Sequence, residues 1–366
     1  MPSVTSAAGA IHLGMDTSKN TIVVGVLMPG EEIPVVDRIW NDEESVRRLA
    51  GRFASREVLR ACYEAGPGGF ELHRLLTSMG VACDVVAPSL IPKGARDRVK
   101  TDKRDASRLA RLHRAGELTA IRVPSPAEEA VRDLVRARHA LLADRQRAQK
   151  RLSAMLMRHG RIWRAGSPWT CAHYQWIAAQ SFDQPALATA LAHYRAALDA
   201  RAAELAAIEA ELSPWAARPP LAAAVARLGC YRGIAQLTGL TLAAEVADWR
   251  RFAAARAFMG FTGLVPSEYS SGDHVRRGAI TKAGSEPVRT ALIEAAWAYR
   301  HKPSIGATLR RRQHGASPAT LARSWAAQRR LYAKYRQMIA RGKPPGVAVT
   351  AMARELAGFA WAEMTS

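Results

Sequence analysis

The chain is 366 residues long and 48% hydrophobic, with 53 Lys and Arg against 32 Asp and Glu, a formal net charge of +21. This length suits two or three domains, and the hydrophobic share excludes general disorder. The cationic excess favours polyanions, nucleic acid first, through counterion release and electrostatic steering. Four cysteines, Cys62, Cys83, Cys171 and Cys230, stand far apart with no C-x-x-C pair, which argues against zinc and disulfide frameworks and for a reduced cytosolic setting. The first residues lack the basic and apolar segments of a secretory signal, and no run reaches the roughly 18 apolar residues of a membrane span, so no membrane association is expected.

Residues 11–39 read as three short strands, IHLGMD, TIVVGVL and IPVVDRI, separated by the turn-forming stretches TSKN and PGEE, which predicts an antiparallel meander. A helix is expected over 42–54, then an apolar strand in EVLRACYEAG, a helix over 69–79, a strand in ACDVVAP and a helix over 102–115. Three strands followed by alternating helices and strands predict an α/β domain over residues 1–122.

The prolines of VPSPAEE, 123–129, interrupt that pattern, and Glu128 and Glu129 suit a first helical turn. A long helix is expected from there to His159. A second carries Leu187, Leu191, Tyr194, Leu198, Ala202, Leu205, Ile208 and Leu212 at nearly the three-four spacing of a coiled-coil seam. Residues 123–220 therefore read as a helical segment, either an antiparallel hairpin or an oligomerisation arm, with ordinary core helices as the plain alternative. Residues 221–366 are mostly helical by pattern, with loops at RLGCYRGI, around Ser271 and at ARGKPPG. Between Arg276 and Lys343 sixteen Lys or Arg stand against two acids, Glu286 and Glu294, and this stretch is the expected electrostatic footprint.

Four carboxylates have suggestive placements. Asp16 ends the first strand, Glu64 ends a later one before the glycine-rich AGPGG, and Asp102 and Asp105 lie three apart at a helix start, on one face. An aspartate at a helix start is commonly a cap. Clustered carboxylates repel unless protonated or bridged by cations, and hard oxygen donors suit Mg²⁺, a pair of which can orient a nucleophile and stabilise a leaving oxygen in phosphodiester cleavage. In GLVPSEYSSGDHVRRGAITKAG, glycines break the backbone repeatedly while Arg276, Arg277, Lys282 and Arg289 supply charge for phosphate. A serine in such a loop can attack phosphorus if its proton is removed and the oxyanion is neutralised; read locally, a serine before glycine is simply a turn.

Taken together, GMDTSKN, YEAGPGGFELHRLL, KTDKRDASRLARL and the GLVPSEYSSG…RRGAITKAG…VRTALIEAAW block resemble the DEDD-type insertion-sequence transposases, relatives of Piv-type DNA invertases. The likeness continues into AQRRLYAKYRQ and AMARELAGFAW. The resemblance implies a RuvC-like, ribonuclease H-like domain over 1–122, a coiled-coil segment over 123–220 and a C-terminal transposase domain over 221–366. It implies that Asp16, Glu64, Asp102 and Asp105 are the catalytic, Mg²⁺-binding tetrad. Ser271 is then the covalent nucleophile, ahead of Ser270 and Ser267, with Tyr269 as a competing one. It further implies donor and target DNA as substrates, a structured bridge RNA as guide, and a tetramer in which the serine of one subunit meets the RuvC-like site of another, working in the bacterial cytoplasm at the nucleoid. One departure is visible: RLGCYRGIAQLTGL, 227–240, only loosely follows the family's glycine-isoleucine-glycine hairpin pattern.

The expected function is thus Mg²⁺-dependent strand cleavage and exchange through a phosphoserine intermediate. One rival is a RuvC-type nuclease that hydrolyses branched DNA without a covalent adduct. The other is a non-catalytic nucleic-acid scaffold whose acids are caps and surface charge.

Overall fold

Strands that alternate apolar side chains across a pleat can bury one face under helices and leave the other for a second layer. The computed structural model, which describes residues 9–92, 101–270, 274 and 276–366, builds the first of its two units, residues 1–124, in this way. Strands β1 (Ile11–Thr17), β2 (Thr21–Leu27) and β3 (Val35–Trp40) form the expected meander. Helix α1 (Glu43–Gly51), β4 (Leu59–Glu64), α2 (Glu71–Ser78), β5 (Ala82–Val86) and α3 (Asp102–Arg114) come next. The sheet order is β3-β2-β1-β4-β5, with β1 antiparallel to β2 and parallel to β4. One face buries Ile11, Leu13, Met15, Ile22, Val24, Leu59 and Tyr63 with Val46 and Leu49 of α1 and Leu76 of α2. Local chemistry explains the helix starts: Asp42 caps α1 by accepting from the Ser45 amide, and Thr101 caps α3 by accepting from the Arg104 amide.

The second unit, residues 125–366, is mostly helical. Its first helix, α4 (Pro126–Arg158), begins at a capping box in which Ser125 and Glu128 satisfy each other's backbone amides, as the VPSPAEE stretch predicts. After the short α5 (Cys171–Ala178), α6 (Pro185–Leu212) returns antiparallel to α4. Val131 and Val135 share a core with Leu212, whereas Ala148, Leu152 and Leu156 share one with Leu191 and Leu198. Buried leucines recur every seventh residue along α6, at 191, 198, 205 and 212. The buried leucines of the predicted seam thus pack on α4 of the same chain, as a helical hairpin. Its base also shares a core with α7 (Leu221–Gly229) and α8 (Gln236–Val246), which joins residues 123–220 to the C-terminal helices.

Helices α9 (Ala255–Thr262), α10 (Glu286–Ala296), α11 (Ala307–Arg312), α12 (Pro318–Ala340) and α13 (Pro345–Thr365) complete the unit. Their core includes Tyr231, Phe258, Leu292, Tyr299, Leu331, Met352 and Leu356. The glycine-rich stretch expected to be a loop instead contains a small antiparallel pair, β6 (Pro266–Glu268) and β7 (Arg277–Ile280). At its base Gly284 has φ +88, and a β-carbon there would stand 2.0 Å from the Phe261 carbonyl, so the turn into α10 needs glycine twice over. Among the described residues no helix is long and apolar enough to cross a membrane.

Candidate active site

Alternation along the strands puts His12, Gly14 and Asp16 of β1 on the face opposite the α1–α2 core, together with Val23 and Gly25 of β2 and Arg60, Cys62 and Glu64 of β4. Helix α3 lies on that face and runs against β1. His12 meets His113 near the helix end, with Nδ1 atoms 3.4 Å apart, and a β-carbon at Gly14 would strike the backbone of Ala106 and Ala110. One at Gly25 would strike Ala106. Following β1 towards Asp16 thus follows α3 back towards its first turn, where Asp102 and Asp105 stand. Met15 pairs with Tyr63 in the parallel register, so Asp16 and Glu64 are the next residues along neighbouring strands. Four carboxylates separated by up to 89 positions in the chain share one face and one end of the sheet.

They are not drawn together into a ligand set. Among the described residues no group of three or more His, Cys, Asp or Glu could hold a metal ion as the side chains stand. Like charges spread at close range, and Arg38 of β3 draws Asp102 its way, at 3.5 Å. Two observations nevertheless fit a divalent cation. The donors are all hard carboxylate oxygens, and Asp105 Oδ2 is buried with no hydrogen-bond partner, a state that calls for a cation or a donor. The capping explanation is weakened as well, since Thr101 takes that role for α3.

At the other end of the same face, His113 Nε2 lies 3.1 Å from Asp84 Oδ2. Burial, reinforced by His113, Arg114 and Arg60, holds the His12 pKa down at about 4, so this imidazole is neutral near pH 7. Sequence reading missed this pairing, because nothing local joins positions 12, 84 and 113.

In the second unit, Ser271 lies outside the described residues, as do Gly272, Asp273 and Val275. Its neighbours are placed. Ser267 donates to the Ala279 carbonyl at 3.1 Å and is bound into the β6–β7 pair. Ser270 donates to Glu268 at 2.9 Å and accepts from the Arg276 amide. Tyr269 is 77% exposed. Arg276, Arg277 and Lys282 are exposed around the loop, with Arg277 3.6 Å from Glu268. Arg289 is anchored as well: its Nη1 donates to the carbonyls of Thr262 and Lys282, which braces the backbone beneath the hairpin. Nor did sequence reading mark Glu245, a buried carboxylate that accepts two bonds from Arg136 and one from Ser285, the cap of α10. It secures the footing of the serine loop, and its partners lie too far along the chain for any local signal.

An α/β unit with carboxylates at one sheet end is followed by a helical unit with a cation-rich loop, and comparison with known proteins gives the class of the chain. Residues 13–160 match the DEDD transposase family of the IS110 type, and residues 226–310 match the transposases of the IS116/IS110/IS902 family. The chain is 41% identical to the protein y4qE of Sinorhizobium fredii, described as a transposase, over 96% of this chain and 87% of the other. It is 29% identical to the transposase for insertion sequence element IS1533 of Leptospira borgpetersenii, over 90% and 96% of the two chains. It is also 25% identical to the transposase for IS1111A of Coxiella burnetii, over 66% of each. The chain belongs to the IS116/IS110/IS902 family of insertion-sequence transposases, enzymes acting on DNA.

Proposed function

We propose that this transposase cuts and exchanges DNA strands through a transient bond between Ser271 and a DNA phosphate, with Asp16, Glu64, Asp102 and Asp105 as the ligands of Mg²⁺. The observation that carries the reading is the placement of all four carboxylates on one face and at one end of the sheet, with Asp105 Oδ2 buried and unpartnered. When bound there, the ion would supply Lewis-acid stabilisation of charge on the phosphate oxygens. The remaining work belongs to the chain. The Ser271 hydroxyl loses its proton as its oxygen bonds to phosphorus, and the bond from phosphorus to the leaving strand breaks. The leaving strand departs as a hydroxyl, and Arg276, Arg277 and Lys282 offset charge on the phosphate. A second strand's hydroxyl then displaces the serine and restores it. The resemblance supports a structured bridge RNA as guide, assembly as a tetramer on nucleic acid, a coiled-coil role for the α4–α6 hairpin and action at the bacterial nucleoid.

The test is denaturing electrophoresis of labelled element ends incubated with protein, guide RNA and Mg²⁺. Ser271→Ala should keep DNA and metal binding but lose the covalent protein–DNA species, whereas Asp102→Asn should weaken Mg²⁺ binding and abolish cleavage with little change in salt-dependent DNA affinity. Persistence of the adduct in Ser271→Ala moves the nucleophile to Ser270 or Tyr269. Cleavage by wild type with no adduct under trapping conditions assigns a RuvC-type hydrolase instead.

A further inference from the structure

Helix α12 carries five cations, Arg323, Arg329, Arg330, Lys334 and Arg336, and no acid. Three are committed to carboxylates of α13: Arg323 pairs with Glu363 at 2.7 Å, and Arg330 and Lys334 both pair with Glu355. Arg329 and Arg336 have no ion-pair partner among the described residues and are exposed. With Trp325, which is 37% exposed, and the half-buried Tyr332, they keep the spacing i, i+4, i+7, i+11. At about 100° per residue the four form one narrow ridge, pointing away from the buried side of the helix formed by Thr320, Ser324, Ala327 and Leu331. Aromatic and cation alternate along its length, on the order of 16 Å at 1.5 Å rise per residue.

A tryptophan left on the surface is poorly explained by packing, and two unpaired guanidiniums beside it are poorly explained by stability. Together they match unpaired nucleotides, whose bases present faces for stacking and whose phosphates present charge at a spacing this ridge can track. A duplex hides its base faces and would use only the cations. We propose that Trp325, Arg329, Tyr332 and Arg336 form a docking ridge for an unpaired nucleic-acid strand, with the aromatic rings stacking on bases and the guanidiniums meeting the flanking phosphates. The ridge goes beyond the strand-exchange reading and requires neither Ser271 nor a metal.

The experiment uses full-length protein in chelator, where cleavage cannot occur, and measures fluorescence anisotropy with a short labelled oligopyrimidine as DNA, as RNA and as a duplex. Trp325→Ala and Tyr332→Ala should each weaken single-strand binding about tenfold while leaving the duplex nearly unchanged. Arg329→Ala with Arg336→Ala should lower the single-strand log-log salt slope by roughly 1.4. Trp325→Phe, which keeps a stacking face, should bind nearly as wild type yet lose part of the tryptophan quenching that the oligonucleotide causes. The strand, DNA or RNA, that loses more affinity in Trp325→Ala identifies the source of the bases; equal losses mean that the ridge reads stacking alone. Single-strand binding that survives removal of both aromatics, or duplex binding that falls as far, overturns the proposal. Because Ser271 and the carboxylates are untouched, such a failure leaves the cleavage reading standing.

Discussion

Gly14 of β1 and Ala110 of α3 meet backbone to backbone: a β-carbon at Gly14 would stand 2.2 Å from the Ala110 amide nitrogen and 2.4 Å from the Ala106 carbonyl. The helix that begins with Asp102 and Asp105 is seated on the strand that carries Asp16 because position 14 has no side chain.

Gly14→Ala should therefore lift α3 from the sheet. Forcing a methyl into backbone contact costs about 1–3 kcal/mol, seen as a lower melting temperature, and the displaced carboxylates should abolish DNA cleavage. Gly51→Ala, where nothing lies within 4 Å of the added carbon, is the control and should melt close to wild type. Equal stability and cleavage in Gly14→Ala would remove this contact from the site's architecture.

Acid should destabilise the first unit through His12. Its pKa falls from 6.5 to about 4 on folding, so the unfolded chain binds the proton first as pH drops. The associated stability is fully present above pH 6.5 and is lost as pH falls towards 4, on the order of 3 kcal/mol at most. His12→Asn should flatten the dependence of the urea midpoint on pH within that window. Asp84, which the His113 hydrogen bond holds below the ordinary carboxylate range, acts in the same direction at lower pH.

Glu363 is fully buried among Arg227, Arg323, Thr320 and Tyr231. Burial alone would raise its pKa, but hydrogen bonds from Arg323, Thr320 and Arg227 outweigh it and bring the pKa to about 2. Glu363→Gln leaves two guanidiniums facing a neutral amide and should cost about 3–5 kcal/mol. Glu355→Gln, where the carboxylate is itself less deeply buried and Arg330 is largely exposed, should cost about 1 kcal/mol or less. Chemical denaturation of both variants decides whether burial sets the difference.

Leu198 is buried in the α4–α6 hairpin, so Leu198→Ala should cost about 2–5 kcal/mol at a midpoint that does not move with protein concentration. A seam between copies would instead lose stability on dilution. Unfolding measured across a wide concentration range separates the two.

Sequence by itself determined what depends on near neighbours. The meander was legible in turn residues between β-branched runs, the start of α4 in the prolines with Glu128 and Glu129, and the apolar seam of α6 in its spaced leucines, whose partner helix the sequence left open. The family's motifs marked Asp16, Glu64, Asp102 and Asp105 by type and order. Tertiary structure alone decided which face of the sheet α3 covers, since Gly14 and Gly25 become a seat only when a helix 81 or more positions later arrives over them. The same holds for the His12–His113–Asp84 pairing, for Glu363, whose partner Arg227 lies 136 positions away, and for the bonds from Arg289 to the Thr262 and Lys282 carbonyls. Propensity, capping and periodicity act within a few residues and leave their pattern in the string. Close packing and the pairing of buried charge act between distant segments, and no one segment carries their mark.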